Sequence, residues 1–214
     1  VLYLKLKGYT FVTCKQLDDY FTKNAPLPKK PVMLTFDDGN YNNYTKAYPV
    51  LKKQNAKGII FAVGTFTEKA EQEKQQSSYY STLRKNQLNE LAKSGVMEIG
   101  CHTYGFHQMT SARQGVKKKS GETLSAYRAA LSKDFQKFCE TMENTANTAY
   151  FAYPFGVYST ETPALLKENG VRLAFTCNEG TNRLTRSSNR YLLKRYNRPS
   201  GISSEAFFTQ RKIL

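Results

Sequence analysis

The chain of 214 residues holds two histidines, His102 and His107, and an adjacent carboxylate pair, Asp37-Asp38, that ends a short apolar run. A carboxylate and two neutral imidazoles with one coordination position left open fit a catalytic divalent-metal site, with zinc the first choice. The other carboxylate of the pair is then free for general-base work, because adjacent residues leaving a strand point in different directions. On a single α-helix, histidines five residues apart would lie about 140° apart and could not share an ion. They must converge from a strand end and the loop after it. Each piece alone has a plainer reading, since Asp-Gly is common in turns. The chemistry therefore rests on all the pieces meeting at strand ends.

The pattern along the chain supplies such ends. Apolar, β-prone runs at 32–36, 58–63, 96–101, 149–153 and 171–177 read as five strands, and helical periodicity fills most of the intervals. Tyr44, Ala47, Tyr48 and Leu51 recur at helical spacing, but Pro49 makes that helix short, kinked or late in starting. Leu88, Leu91 and Ala92 mark a helix that Gly95 can end as a left-handed cap. Leu124, Tyr127, Leu131, Phe135, Phe138 and Met142 share one face of a long helix, and Thr160 is expected to cap another that carries Leu165 and Leu166, with Gly170 after it. Repeated strand–helix units predict an α/β fold with a mostly parallel sheet, open or closed as a barrel. Sites in such folds form at the strand carboxyl ends, where Asp37-Asp38, His102 and Tyr153-Pro154-Phe155-Gly156 all fall. The tail from 183 to 198 has six basic residues and no acid, and is expected to be a surface loop followed by a short strand and helix.

Composition excludes several classes. Hydrophobic residues make up 40% of the chain, with 13 Phe and 15 Tyr, enough for a sizeable core and too many for a disordered chain, a collagen or a bare coiled coil. No stretch reaches the ~18 consecutive apolar residues of a membrane span. The opening Val1-Leu2-Tyr3-Leu4 is interrupted at once by Lys5 and Lys7, so it does not read as a signal peptide, and no initiating Met precedes it. Residues 1–214 are expected to form a single domain, truncated at its amino terminus, with a signal or anchor upstream. Thirty-two basic and 17 acidic residues leave a net charge of +15, which either solubilises the surface or attracts polyanions. Cys14, Cys101, Cys139 and Cys177 form no CxxC pair, which excludes a zinc ribbon and a thioredoxin motif.

Thr35-Phe36-Asp37-Asp38-Gly39, His102-Thr103-Tyr104-Gly105-Phe106-His107 and Tyr153-Pro154-Phe155-Gly156 together resemble the polysaccharide deacetylases of carbohydrate esterase family 4. The four-residue interval between the histidines and the Tyr-Pro-Phe-Gly form are similar to the branch that includes biofilm poly-N-acetylglucosamine deacetylases. The resemblance covers 8–198 and implies a distorted (β/α) barrel of about seven parallel strands. It also implies Asp38, His102 and His107 as ligands of one divalent ion, Zn2+ or else Co2+ or Ni2+, and Asp37 as the general base. The backbone N–H of Phe155 would be the oxyanion donor, since Pro154 has none. Tyr104, Tyr153, Pro154, Phe155 and Arg195 are the candidate substrate-binding residues, with Phe106 and Tyr158 as further aromatic lining. The implied reaction is hydrolysis of the acetyl amide on N-acetylglucosamine units of a cell-surface or cell-wall polysaccharide, outside the cytoplasm, by a monomer.

Two positions depart from the family's pattern. Most members carry, two residues before the motif proline, an Arg that tethers the base, and here Ala152 stands there, so Arg195 is expected to take over. The family also uses a further histidine as general acid, and with no third histidine here the acid is expected upstream of Val1. The competing expectation is a non-catalytic glycan-binding relative that lacks the acid. Anionic wall polymers are the partners expected of the basic surface. Specific nucleic-acid binding is not expected, because no nucleic-acid motif accompanies the charge.

Overall fold

A computed structural model describes residues 1–213. In chain order the elements are α1 (Leu2–Leu6), β1 (Thr10–Phe11), α2 (Cys14–Thr22), β2 (Pro31–Val32), β3 (Thr35–Asp38), α3 (Tyr48–Lys53), β4 (Gly58–Ala62), α4 (Gly64–Gln72), α5 (Lys85–Lys93), β5 (Met97–Cys101), α6 (Leu124–Thr141), β6 (Tyr150–Ala152), α7 (Thr162–Glu168), β7 (Leu173–Phe175) and α8 (Ser204–Gln210). Strands β3 to β7 form one parallel sheet in sequence order. Parallel neighbours need crossovers, and α3, α4 with α5, α6 and α7 supply them.

Burial on both faces explains the unbroken apolar runs. Every residue of β4, β6 and β7 is buried. Successive residues serve opposite faces. Ile60 and Ala62 pack into the cluster that includes Leu88, Leu91, Leu131 and Phe138, while Ile59 and Phe61 join Tyr150, Phe175 and Leu193.

The sheet curls towards closure without completing the expected barrel of about seven strands. Five strands form it, and β1 and β2 pair only with each other. Beyond β7, Leu193 makes a single parallel bridge to Phe175 instead of the expected strand. The ladder stops there because the next N–H facing β7, that of Arg195, donates to Asn178 O at 3.1 Å, past the end of the strand. On the other side Lys194 donates its N–H to Asn182 Oδ1 at 3.0 Å, and its carbonyl accepts from Asn182 Nδ2 at 2.8 Å. Arg195 then reaches across the gap, contacting Thr176 O at 2.9 Å on the β7 side and Thr35 Oγ1 at 3.1 Å on β3. One side chain thus spans the two edges of the sheet.

Local departures have local causes. The expected strand 32–36 is split between β2 and β3. A wide turn at Asn43–Ala47 precedes α3, so the helix starts late and Pro49 falls in its first turn, where a missing N–H costs nothing. The cap of α7 is Glu161, not Thr160, because Pro163 sets the first turn one residue on. The buried Thr162 hydroxyl instead accepts the Ser159 N–H at 2.8 Å and meets Tyr127 Oη at 2.6 Å. Gly95 ends α5 at φ 65°, as its position predicts. Helices α2 and α4 were not expected, although Thr13 and Gln16 form a full capping box for α2. Among the described residues the four cysteines are unpaired, and no helix is long and apolar enough to cross a membrane.

Candidate active site

Strand β3 delivers Asp37 and Asp38, and the chain turns sharply after them, with Asp38 at φ 72° and Gly39 at φ 74°. Strand β5 delivers His102, whose N–H extends the ladder to Ala62 O at 2.9 Å and whose side chain is 2% exposed. The His102 Nδ1 lies 2.8 Å from Ala152 O. A carbonyl can only accept, so Nδ1 carries the proton and the Nε2 lone pair faces Asp38. Burial also pushes the His102 pKa down, which keeps the ring neutral.

His107 arrives on a loop clamped from two sides. The first amides of α4, Gly64 N–H and Thr65 N–H, donate to Thr103 O and Tyr104 O at 3.0 and 2.9 Å. From α6, the Asp134 carboxylate accepts the Tyr104 and Gly105 amides at 2.9 and 2.8 Å. Burial pushes the Asp134 carboxyl up while these amides pull it down, and burial wins. The loop can lie this close to α4 because residue 64 is Gly: a Cβ there would stand 2.5 Å from the Tyr104 ring.

The result is a convergent cluster. His107 Nε2 lies 2.9 Å, and His102 Nε2 3.6 Å, from Asp38 Oδ1, and donor atoms of all three residues fall within 4.8 Å of one another. Asp38 Oδ1 is buried with no hydrogen-bond partner. A buried carboxylate oxygen facing two imidazole nitrogens, one with its proton turned away, is the donor set a divalent cation satisfies. The His107 ring is packed between Phe66 at 5.1 Å and Phe155 at 4.4 Å between centroids. Asp38, Thr103 and Phe155 all have positive φ without being glycine, so local strain gathers at this cluster.

Asp37 points to the seam instead. Arg195 forks onto it, with Nη1 2.7 Å from Oδ1 and Nη2 2.8 Å from Oδ2. Burial pushes the Asp37 carboxyl up, but the hydrogen bonds and charge of Arg195 outweigh it and hold the group below the ordinary carboxylate range. Arg195 thus stands in for the arginine missing at Ala152. Ala152 itself contributes its carbonyl to His102.

The expected substrate contacts are only partly brought together. Phe155 is 44% exposed beside the histidines. Tyr104 turns outward, donating its hydroxyl to Glu68 Oε2 at 2.8 Å, with Lys137 Nζ 5.8 Å from its ring centroid. Tyr153 is fully buried and donates its hydroxyl to Tyr191 O at 2.9 Å, and Pro154 is buried beside it. Phe106 packs under Arg113 at 4.2 Å, Tyr158 packs on Tyr153 at 4.7 Å, and Arg195 is engaged by Asp37. Aromatic rings beside a strand end serve the core as readily as a groove, which is why sequence alone misplaced Tyr104 and Tyr153. Asp134 and Phe66 were missed. Asp134 did carry a signal: it lies three residues after Leu131 and four before Phe138, a carboxylate on the apolar face of α6. Phe66 carried none, because α4 is polar along most of its length.

Residues 24–174 match the family described as polysaccharide deacetylase. The poly-beta-1,6-N-acetyl-D-glucosamine N-deacetylase of Staphylococcus aureus is 27% identical over 214 residues, covering 97% of this chain and 66% of that protein. This chain therefore spans just under two-thirds of that relative's length. The solved structure of IcaB from Ammonifex degensii is 26% identical, with a TM-score of 0.75 over 98% of this chain and 84% of that one. A de-N-acetylase from Aggregatibacter actinomycetemcomitans shares the fold at 20% identity, with a TM-score of 0.79 over 97% of this chain and 85% of that one. With a family match over more than half its length, running from 24 into β7, this chain belongs to the polysaccharide deacetylase family.

Proposed function

We propose that this protein hydrolyses the acetyl amide of N-acetylglucosamine units in a surface polysaccharide, releasing acetate and leaving a free amine. The observation that carries this reading is the division of labour at the end of β3. Asp38 faces two imidazoles, while Asp37, one residue away, is held apart by Arg195. Asp38, His102 and His107 would hold one divalent cation, Zn2+ as first choice with Co2+ or Ni2+ as substitutes, because a carboxylate with two imidazoles suits all three. When bound, the cation supplies Lewis-acid chemistry, polarising the acetyl carbonyl and acidifying water.

The chain's own groups do the rest. Asp37, kept ionised by Arg195, accepts a proton from the attacking water at a carboxylate oxygen. The Phe155 N–H, in the turn after β6, donates to the oxygen that gains negative charge as the tetrahedral centre forms. As the C–N bond breaks, the amine nitrogen takes up a proton. Both histidines are committed to the cation, so the proton accepted by Asp37 is the one at hand.

The substrate class follows from the staphylococcal relative, whose name gives poly-β-1,6-N-acetyl-D-glucosamine as its polymer. A cell-surface or extracellular location belongs to the same proposal, as does attraction of the +15 charge to anionic wall polymers. The protein acts as a monomer on this reading, since one chain supplies the whole constellation. The test is acetate release from β-1,6-linked and β-1,4-linked N-acetylglucosamine hexamers by Zn2+-loaded protein. Faster release from the β-1,6 hexamer is expected, and no metal-dependent release from either would contradict the proposal.

A further inference from the structure

Two tyrosines stand almost entirely in solvent on a turn that is otherwise firmly held. Tyr79 is 96% and Tyr80 82% exposed, more than any other large apolar side chain described. The turn closes on itself through Ser81 N–H to Ser77 O at 3.0 Å, Ser77 N–H to Ser81 Oγ at 2.8 Å and Tyr79 N–H to Ser77 Oγ at 3.3 Å. It is then tied to the chain that leaves β3. Leu83 N–H donates to Gly39 O at 2.7 Å, Tyr41 N–H to Ser81 O at 2.9 Å, and Asn40 bridges Thr82. Ser78 Oγ and Thr45 Oγ1 meet at 3.0 Å. Gly39 directly follows Asp38. Tyr80 is three residues from Leu83, so its Cα lies no more than ~11 Å from the Leu83 anchor.

Folding gains by burying tyrosine, and a turn this well fastened could present any side chain. Two adjacent rings left in water beside a site read as a contact surface. We propose that Tyr79 and Tyr80 form a stacking platform for the sugar units that flank the reacting N-acetylglucosamine along the polymer. This rests on the deacetylase reading of the Asp38 cluster. In a β-linked hexosamine the ring substituents are equatorial, so each ring face is a patch of C–H groups with hydroxyls at its edge. Tyrosine matches that shape, with an apolar face and a polar tip. The neighbours agree. The exposed flanking residues, Lys74 and Gln75, are polar and can meet sugar hydroxyls, whereas a membrane-inserting turn would surround its aromatics with Leu, Phe or Trp. The platform also supplies what Tyr104, engaged by Glu68, and the buried Tyr153 do not, an aromatic surface open to a polymer.

The test is titration calorimetry of the whole protein with a β-1,6-linked N-acetylglucosamine hexamer, comparing the parent, Y79A/Y80A and Y79F/Y80F. Thermal unfolding serves as a check that the fold is intact. The alanine pair is expected to bind the hexamer about tenfold more weakly, as the loss of two stacking contacts would give. The phenylalanine pair keeps the parent's affinity, because the ring faces remain. Equal affinity of the parent and the alanine pair would overturn the proposal, as would no hexamer binding by the parent. Loss of binding to phosphatidylglycerol vesicles in the alanine pair, with hexamer affinity unchanged, would overturn it in favour of a membrane contact. A tenfold loss of hexamer binding in proteins that release no acetate would leave the platform standing and remove the deacetylase reading, so the two fail separately.

Discussion

Arg195 and Asp37 meet as a two-bonded fork, 2.7 and 2.8 Å, across the seam between the first and last strands of the sheet. The guanidinium also donates to Thr176 O and Thr35 Oγ1, so it fixes Asp37, the proposed base, and fastens the curl of the sheet together. Bidentate geometry matters here because it sets orientation as well as charge. Arg195→Gln is expected to lower kcat about 10²-fold, the scale of a misplaced catalytic group, while metal stoichiometry stays at one per chain. Arg195→Lys restores the charge but not the fork, and is expected to recover only part of the loss. Full activity in Arg195→Gln would show that Asp37 needs no tether.

Asp134 acts on the site from α6, about one loop away. It accepts the Tyr104 and Gly105 amides and so shapes the loop that brings His107 to Asp38. Asp134→Ala leaves those amides without partners, at a cost of about 1–3 kcal/mol each. Thermal unfolding is expected to shift down accordingly, and Zn2+ affinity to fall by about 10- to 100-fold, the range for groups behind metal ligands. Asp134→Asn keeps one acceptor and is expected to fall between the two. A destabilised Asp134→Ala protein with unchanged Zn2+ affinity would make Asp134 purely structural.

How much of this was legible beforehand varies by residue. The five strands of the sheet were, because β4, β6 and β7 are buried on both faces and so read as unbroken apolar runs. Asp37, Asp38 and His102 were too, because a strand end fixes where its last residues go, whereas His107, on the loop after β5, was placed only by requiring the two histidines to converge. Arg195 was legible only through the resemblance, as a replacement for a missing arginine. The closing strand was not: the ladder ends at Leu193 because the Arg195 N–H goes to Asn178 O, a backbone contact without a local signal. Nor were the roles of the tyrosines, since a ring's direction depends on partners such as Glu68 and Tyr191 that no local pattern names.

Phe155 carries two opposed effects. Its φ of 56° is left-handed, which costs a non-glycine residue about 1 kcal/mol, yet its ring packs 4.4 Å from that of His107. Phe155→Gly and Phe155→Ala both remove the ring and are expected to lower Zn2+ affinity about tenfold. They should differ in stability, with glycine the more stable by about 1 kcal/mol in denaturant unfolding. Alanine equal to or better than glycine would mean that the backbone there is not strained.

Glu98 gives a pH signature away from the metal cluster. Its carboxylate, on β5, accepts the amides of Cys14 and Lys15 at the start of α2, with the second at 3.0 Å. Burial pushes its pKa above the ordinary value, against the pull of those amides. A carboxyl raised in the folded state contributes most below its unfolded pKa of about 4.3, and that contribution is lost as pH rises through the raised value. The Tm of the parent minus that of Glu98→Gln is therefore expected to be larger at pH 4 than at pH 7. A difference that grows with pH would reverse the sign of this assignment.

The central claim is that Asp38, with His102 and His107, would hold the divalent cation on which hydrolysis of an acetyl amide depends. The direct measurement is acetate released from a β-1,6-linked N-acetylglucosamine hexamer, alongside metal bound per chain, for the parent and Asp38→Asn. The account predicts one Zn2+ per chain and metal-dependent acetate release in the parent, with both lost in Asp38→Asn. Acetate release that persists in Asp38→Asn, or in metal-stripped protein, would contradict it.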